Sequence, residues 1–80
     1  MNGIKHALLE AAKVMTFGAQ KYAPGNWRKV EKGHDRYIDA ALRHINAHLL
    51  GEKLDSESGL SRLSHAVASL MMAMEMEQKQ

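Results

Sequence analysis

The stretch YIDAALRHINAHL, residues 37–49, decides the fold of this 80-residue chain. Its large apolar residues recur at spacings of four, three and four, which places them on one stripe of an α-helix. They are Ile38, Leu42, Ile45 and Leu49. Asp35 can cap the start of such a helix, and Gly51 suits a left-handed end. The pattern predicts an amphipathic helix over residues 34–50.

Two further helices are expected on either side of this one. A stripe with the same heptad-like spacing follows the next loop, and it comprises Leu60, Leu63, Val67, Leu70 and Met74. Because both stripes share one spacing, we expect these two helices to pack side by side. Asp55, Ser56 and Ser58 are candidate caps for the third helix, and Gly59 indicates close approach of another group to the backbone.

A first helix is indicated before the turn at residues 23–26. Its apolar face consists of Ile4, Leu8, Ala11 and Met15. No alternation typical of a β-strand occurs in the sequence. The sequence therefore predicts an all-α fold, a compact three-helix domain over residues 1–80 with helices at about 4–20, 34–50 and 57–78.

Length and composition limit what this domain can be. At 8.9 kDa it buries only about 60% of the surface that its unfolded chain exposes, and no cysteine supplies a disulfide. We therefore expect a helical homo-oligomer. No apolar run reaches the roughly 20 residues of a membrane span, so we expect no membrane partner. Residues 1–50 hold eight Lys or Arg and four acids, which favours an anionic partner but is too mild to predict binding of duplex nucleic acid.

Polar residues of the second helix are candidates for chemistry. Asp39 and Arg43 have the four-residue spacing of an ion pair on a helix. His44 and His48 share that spacing, which can present two imidazoles to one zinc ion, although Ile45 replaces the glutamate of the zincin motif. The alternative interpretation places His44 in the core with a hydrogen bond and His48 at a solvated edge.

The loop between the second and third helices is acidic. Glu52, Asp55 and Glu57 supply three carboxylates within six residues, a set that suits Mg²⁺ bridging to substrate phosphates. The adjacent helix N-terminus also favours phosphate. Capping and solubility are the alternative explanation. His65, further along the third helix, is expected to face the second helix, where a lone histidine is more often a satisfied core residue.

An aromatic and cationic loop follows the first helix. Trp27 stands among Tyr22, Asn26, Arg28 and several lysines. A tryptophan surrounded by cations can stack on a base while the cations contact phosphate. Alternatively, Trp27 packs back over the bundle and anchors the loop. The methionine-rich segment at 71–76 is interpreted as core and oligomer seam, or else as a soft ligand surface.

The order of several short motifs resembles a known family. The motifs are Phe17-Gly18-Ala19-Gln20-Lys21-Tyr22, Asn26-Trp27-Arg28, Tyr37-Ile38-Asp39-Ala40-Ala41-Leu42-Arg43-His44, Gly51-Glu52 with Asp55, Glu57-Ser58-Gly59, and His65-Ala66. Together they are similar to small phage proteins described as the N-terminal domain of dATP/dGTP diphosphohydrolases. The resemblance implies an all-helical fold, a viral origin and a purine deoxynucleotide ligand.

The function implied by this resemblance is hydrolase-like, a Mg²⁺-dependent cleavage of purine deoxynucleoside triphosphates in the cytoplasm of an infected bacterial cell. The metal would be held by Asp39, Glu52, Asp55 and Glu57. The nucleotide would be bound by Lys21, Tyr22, Asn26, Trp27, Arg28, Arg43 and Ser58. His44 and His65 would position or deprotonate the attacking water. Stabilisation of phosphate charge by metal and cations supplies most of such catalysis.

A non-catalytic nucleotide sponge is the alternative, an oligomer that sequesters cyclic-nucleotide or ADP-ribose-type signals of bacterial antiphage defence without a cofactor. Its motivation is the first helix, which offers only Glu10 where all-α nucleoside triphosphate pyrophosphohydrolases carry a glutamate cluster. Glu52 and Asp55 keep the Glu-x-x-Asp spacing of the answering helix. In either case we expect oligomerisation to complete both the core and the site. A third possibility is an interaction module that docks through its methionine-rich helix.

Overall fold

A computed structural model describes the backbone of residues 2–21 and 25–78. A short 3₁₀ turn, Asn2–Ile4, leads into helix α1, Lys5–Lys21. A second 3₁₀ turn, Asn26–Lys29, precedes helix α2, Gly33–Leu49, and helix α3 is Arg62–Glu77. Within these ranges the only β-type pairing is one isolated antiparallel bridge, Leu54 with Ser61. The expected all-α class with three helices is confirmed.

Helix α3 begins five residues later than predicted, because the expected caps are used elsewhere. Asp55 Oδ1 accepts hydrogen bonds from the backbone N–H groups of Glu57 and Ser58, at 2.9 and 2.8 Å, inside the loop. The cap is Ser61 instead, whose Oγ accepts from the Ser64 N–H at 3.0 Å. Residues 57–61 therefore belong to the loop.

A hairpin-like loop joins α2 to α3. The Asp55 N–H donates to the Leu60 carbonyl at 2.8 Å, and the Arg62 N–H donates to the Lys53 carbonyl at 2.9 Å. Gly59 closes the turn with φ of 74°, in the left-handed region that glycine favours. A Cβ at Gly59 would meet nothing within 4 Å, so the expectation of a close approach was wrong, and the glycine serves the backbone conformation.

Helices α2 and α3 run antiparallel and form the largest helix contact. His44 lies against His65 near one end of the pair, and Gly33 lies against Met76 at the other. A Cβ on Gly33 would come within 2.6 Å of Met76 Cε, so the start of α2 fits closely under that methionine. Helix α1 packs on α3, and the structure places no comparable contact between α1 and α2 in the part of the chain it describes.

Small side chains fill the interior, and the predicted apolar stripes do not. The buried residues on α2 and α3 are Gly33, Ala41, Ser64, Ala66, Ala68, Ser69 and Ala73. Leu42 is 60% exposed, Leu70 38% and Met74 64%. The helices pack side by side as expected, but the large residues of the stripes are not their buried residues, which are alanine, serine and glycine. Met72 and Met76 are half-buried, whereas Met71 and Met74 are exposed.

None of the helices within residues 2–21 and 25–78 is long and apolar enough to cross a membrane.

Candidate functional site

A pocket of about 700 Å³ opens between α1, the second 3₁₀ turn, α2 and α3. This volume lies within the range of about 300–1,000 Å³ that is usual for small-molecule sites. Its apolar lining includes Val14, Met15, Phe17, Val30 and Met72. Its polar lining includes Asn26, Arg43, His44, Asp55, Glu57 and His65. One cavity thus combines an apolar surface with charged and imidazole groups.

A stacked pair of histidines lines the pocket where α2 meets α3. The ring centroids of His44 and His65 are 4.7 Å apart, and the ring planes are 20° from parallel. Burial lowers the pKa of His44, and the neighbouring His65 and Arg62 lower it further. Burial also lowers the pKa of His65, against the opposing influence of Asp55. Both imidazoles therefore stay neutral to lower pH than a free histidine does.

The hydrogen bond from Arg62 fixes the tautomer of His44. The Ser58 hydroxyl accepts from the Leu60 N–H at 3.1 Å, and its Oγ lies 2.6 Å from His65 Nε2, where either group can be the donor. Arg62 Nη1 lies 3.2 Å from His44 Nδ1 and donates to it, so the proton of His44 is on Nε2. The Nε2–H group of His44 thus forms no hydrogen bond within the described residues.

Arg62, the first residue of α3, joins the acidic loop to this histidine pair. Its guanidinium is mostly buried and donates from Nη1 to Asp55 Oδ2 and from Nη2 to Glu52 Oε1, each at 3.2 Å. Sequence reasoning missed Arg62. A signal was present, since Arg62 is the only cation between residues 54 and 78 and follows three acids.

Asp55 is the most heavily bonded acid of the loop. Burial opposes its ionisation, but hydrogen bonds from the N–H groups of Ser58 and Glu57 outweigh burial and hold the pKa of Asp55 below its ordinary value. His65 Nε2 lies 4.0 Å from Asp55 Oδ1. Asp55 is therefore an ionised carboxylate whose oxygens are already engaged by protein donors.

The four predicted metal ligands do not come together. Asp39 forms an exposed ion pair with Arg43 at 3.0 Å on the surface of α2, while Glu52 and Asp55 converge on Arg62. Within the described ranges, no group of three or more His, Asp or Glu side chains is arranged to hold a metal ion. The magnesium assignment therefore stays a prediction.

The two histidines of the zinc interpretation have separate environments. His44 lies against His65 and Arg62, whereas His48 Nε2 lies 3.5 Å from Lys53 Nζ. The interpretation of His44 as a hydrogen-bonded inner residue describes the structure better than a shared zinc ion.

The aromatic loop is anchored to the bundle and also lines the pocket. The Tyr37 hydroxyl donates to the Trp27 carbonyl at 2.8 Å, and the two rings meet edge to face at 6.4 Å. Arg28 Cζ lies 4.4 Å from the centroid of the Trp27 ring. Trp27 and Asn26 both border the cavity. Tyr37, also a lining residue, was not among the predicted site residues, although its motif was noted.

Two predicted nucleotide-binding residues lie beyond what the structure describes. Tyr22 falls outside the described residues, and the side chain of Lys21, the last residue of α1, is not described either. The structure does bring together Asn26, Trp27, Arg43, His44, Asp55, Glu57 and His65 around one pocket, with Arg28 over Trp27 and Ser58 on His65.

The fold and the pocket define a small all-helical domain with paired histidines beside an aromatic and cationic loop. The chain belongs to the family described as "dATP/dGTP diphosphohydrolase, N-terminal", whose model matches residues 4–80. It is 36% identical over 62 residues to a dATP/dGTP diphosphohydrolase of Salmonella phage PMBT28. That match covers 78% of this chain and 21% of the relative, so the chain spans about a fifth of the relative's length. No solved structure matches.

Proposed function

We propose that this chain is a nucleotide-binding domain with a hydrolase-like role toward purine deoxynucleoside triphosphates, acting as a homo-oligomer in the cytoplasm of phage-infected bacteria. Family membership supports the hydrolase-like role, because the relative of Salmonella phage PMBT28 is named a dATP/dGTP diphosphohydrolase. The observation that carries the proposal is that one pocket is bordered by both Trp27 and the pair His44 and His65.

The two ends of the pocket suit the two ends of a nucleotide. The Trp27 ring, with Arg28 against it, offers a stacking surface for a base. Arg43 and the free Nε2–H group of His44 offer donors for phosphate oxygens. Lys21, Tyr22 and Asn26 keep their proposed roles in nucleotide binding through the family resemblance.

Proton transfer in this proposal goes through Ser58. With His65 Nε2 as the acceptor of the Ser58 hydroxyl proton, 2.6 Å away, water held by Ser58 would pass a proton to Ser58 as Ser58 passes its own to His65. The basic nitrogen of His44 is held by Arg62. We therefore propose that His65 takes part in proton transfer and that His44 donates a hydrogen bond to a phosphate oxygen.

The acids do not form a metal cage in their present arrangement, because Arg62 neutralises Glu52 and Asp55 and Arg43 pairs with Asp39. Mg²⁺ remains in the proposal as an ion bound to the triphosphate, for which one or two carboxylates and several waters suffice. No catalytic step is derived through it.

The decisive experiment is chromatography of dGTP or dATP after incubation with the protein, with and without Mg²⁺. A hydrolase leaves the deoxynucleoside monophosphate, and His65→Gln should lower the rate by about 100-fold. The matched control is His48→Gln, because His48 lies outside the pocket lining and beside Lys53. Equal rates for both variants would remove His65 from the reaction.

A non-catalytic sponge is the second candidate, and the pairing of Glu52 and Asp55 with Arg62 favours it, since those carboxylates are not open to a metal. In this case the protein binds its ligand without Mg²⁺ and releases it intact on denaturation. Candidate ligands are cyclic-nucleotide and ADP-ribose-type signals. Absence of any nucleotide binding in a titration at millimolar concentration would favour an interaction module instead.

A further inference from the structure

One side of the α2 and α3 pair is apolar and uncovered in the single chain. We call it the seam face and define it by Leu42, Leu49, Leu63, Val67, Leu70 and Met74. Each of these side chains is at least 38% exposed, and Leu49 reaches 75%. None carries a charge. Contiguous exposed apolar surface of this kind is unusual for a monomer and marks an interaction site.

The two stripes of the seam face lie level with each other. His44 on α2 lies against His65 on α3, and the helices are antiparallel. Leu42, two residues before His44, is therefore level with Val67, two residues after His65. Both stripes then run beside one another along the pair.

The seam face points away from the pocket. A step of two residues turns about 200° around an α-helix, so Leu42 and Val67 point nearly opposite to the histidine pair. Around each helix the buried alanines, Ala41 on α2 and Ala66 on α3, lie between the histidine and the seam. In antiparallel helices this shared order places both stripes on one side and the pocket on the other.

The exposed area matches what an interface needs. The chain exposes 5859 Å². A folded monomer of 8.9 kDa is expected to expose about 4,800 Å². The excess of about 1,000 Å² is close to the roughly 800 Å² per partner of a standard protein interface.

We propose that two copies of this chain pack seam face against seam face into a four-helix bundle with the two pockets on its outer sides. The heptad-like spacing on both helices calls for a partner with helices of the same period, and a second copy presents that pattern under a two-fold axis. This inference rests on the homo-oligomer of the proposed function and names its interface. The dimer completes the core, and each pocket stays within one chain.

The test is sedimentation of the full chain together with thermal unfolding at several protein concentrations. The wild type should sediment at twice the mass of the chain, and its melting temperature should rise with concentration. Leu42→Glu and Val67→Glu should each halve the mass, whereas Leu9→Glu, at a residue of α1 that is 55% exposed, should not. A wild-type monomer, or a melting temperature independent of concentration, overturns the proposal even if a variant fails to fold.

Nucleotide titration separates this inference from the proposed function. Since the pocket lies on the opposite side, a folded monomeric Val67→Glu variant should bind dGTP within about twofold of the wild type. A dimer that binds no nucleotide leaves the interface intact and removes the proposed function. A folded monomer that loses binding entirely would show that the interface builds the pocket and would overturn the outward orientation.

Discussion

The imidazole of His44 stacks on that of His65 across the α2 and α3 contact, with ring centroids 4.7 Å apart. Two histidines can stack in this way at little electrostatic cost only while at most one carries a proton. Burial, together with the charges of Arg62, Asp55, Arg43 and Glu57 around the pair, leaves the pKa of both histidines lowered.

This lowering predicts that stability increases with pH. The unfolded chain takes up protons near the ordinary histidine pKa of about 6.5, while the folded histidines resist protonation until lower pH. The free energy of unfolding should therefore have its full value above about pH 6.5 and decrease as the pH falls toward the lowered pKa values. Urea unfolding at pH 7.5 and pH 5.5 measures the difference.

His34 contributes to the pH dependence of stability with the opposite sign, so the comparison is best made in a variant that lacks this histidine. Hydrogen bonds that the His34 ring donates to the carboxylates of Glu77, at 2.7 Å, and of Asp35 raise the pKa of His34, so its contribution is present at low pH and lost as pH rises. In a His34→Gln background the pH dependence should steepen, and adding His44→Gln and His65→Gln should flatten it. A slope that survives the loss of both stacked histidines contradicts this assignment.

Arg62→Met should be among the most damaging polar substitutions. It leaves Asp55 and Glu52 without their cation and His44 without its donor, and a lost hydrogen bond to a charged group costs about 1.5–3 kcal/mol. Arg43→Met is the matched control, because its ion pair with Asp39 is about 70% exposed on both sides and should contribute below about 0.5 kcal/mol. Equal losses in chemical denaturation would show that Arg62 has no special role.

Ser61→Ala should lower the free energy of unfolding by about 1 kcal/mol, the usual cost of losing the oxygen that caps a helix, here α3. Ser56→Ala, in the same loop but exposed, should change unfolding by less than about 0.5 kcal/mol. If instead Ser58→Ala lowered helicity more than Ser61→Ala, the start of α3 would have to be moved back into the loop.

Trp27 is the only tryptophan of the chain and borders the pocket, so its fluorescence should report binding. A purine nucleotide that stacks on the ring should quench the emission, whereas inorganic triphosphate should leave it nearly unchanged. Arg28→Ala removes the cation above the ring and should weaken nucleotide binding by about 2- to 5-fold. Equal quenching by inorganic triphosphate would mean that the base does not reach Trp27.

Much of the fold follows from the sequence, because helix α2 is determined by local signals. Its apolar period and Gly51 predicted both of its ends to within a residue. The start of α3 was less predictable, since Asp55, Ser58 and Ser61 are equally good caps in isolation. Only the loop hydrogen bonds of Asp55 and Ser58 decide in favour of Ser61.

Several residues around the candidate site were named from the sequence, but their pairing was not. His44, His65 and Asp55 were identified from residue type and from the family resemblance, and all three border one pocket. The partner of each was not, because Arg62 reaches them only when the loop folds back against the start of α3. The orientation of the apolar stripes could likewise not be predicted from their spacing. The spacing identifies one face of a helix but does not show what packs against that face.

The small buried residues of α2 and α3 reverse the usual pattern of mutational tolerance. In most domains, the most destabilising substitutions are those that truncate a large interior side chain. Here Ala41, Ala66, Ala68 and Ala73 offer little to truncate, and enlarging any of them displaces the groups packed against it at a cost of about 1–3 kcal/mol each. The chain is therefore least tolerant of added volume at its smallest residues, and a saturation scan should show a deficit of bulky substitutions at those four positions.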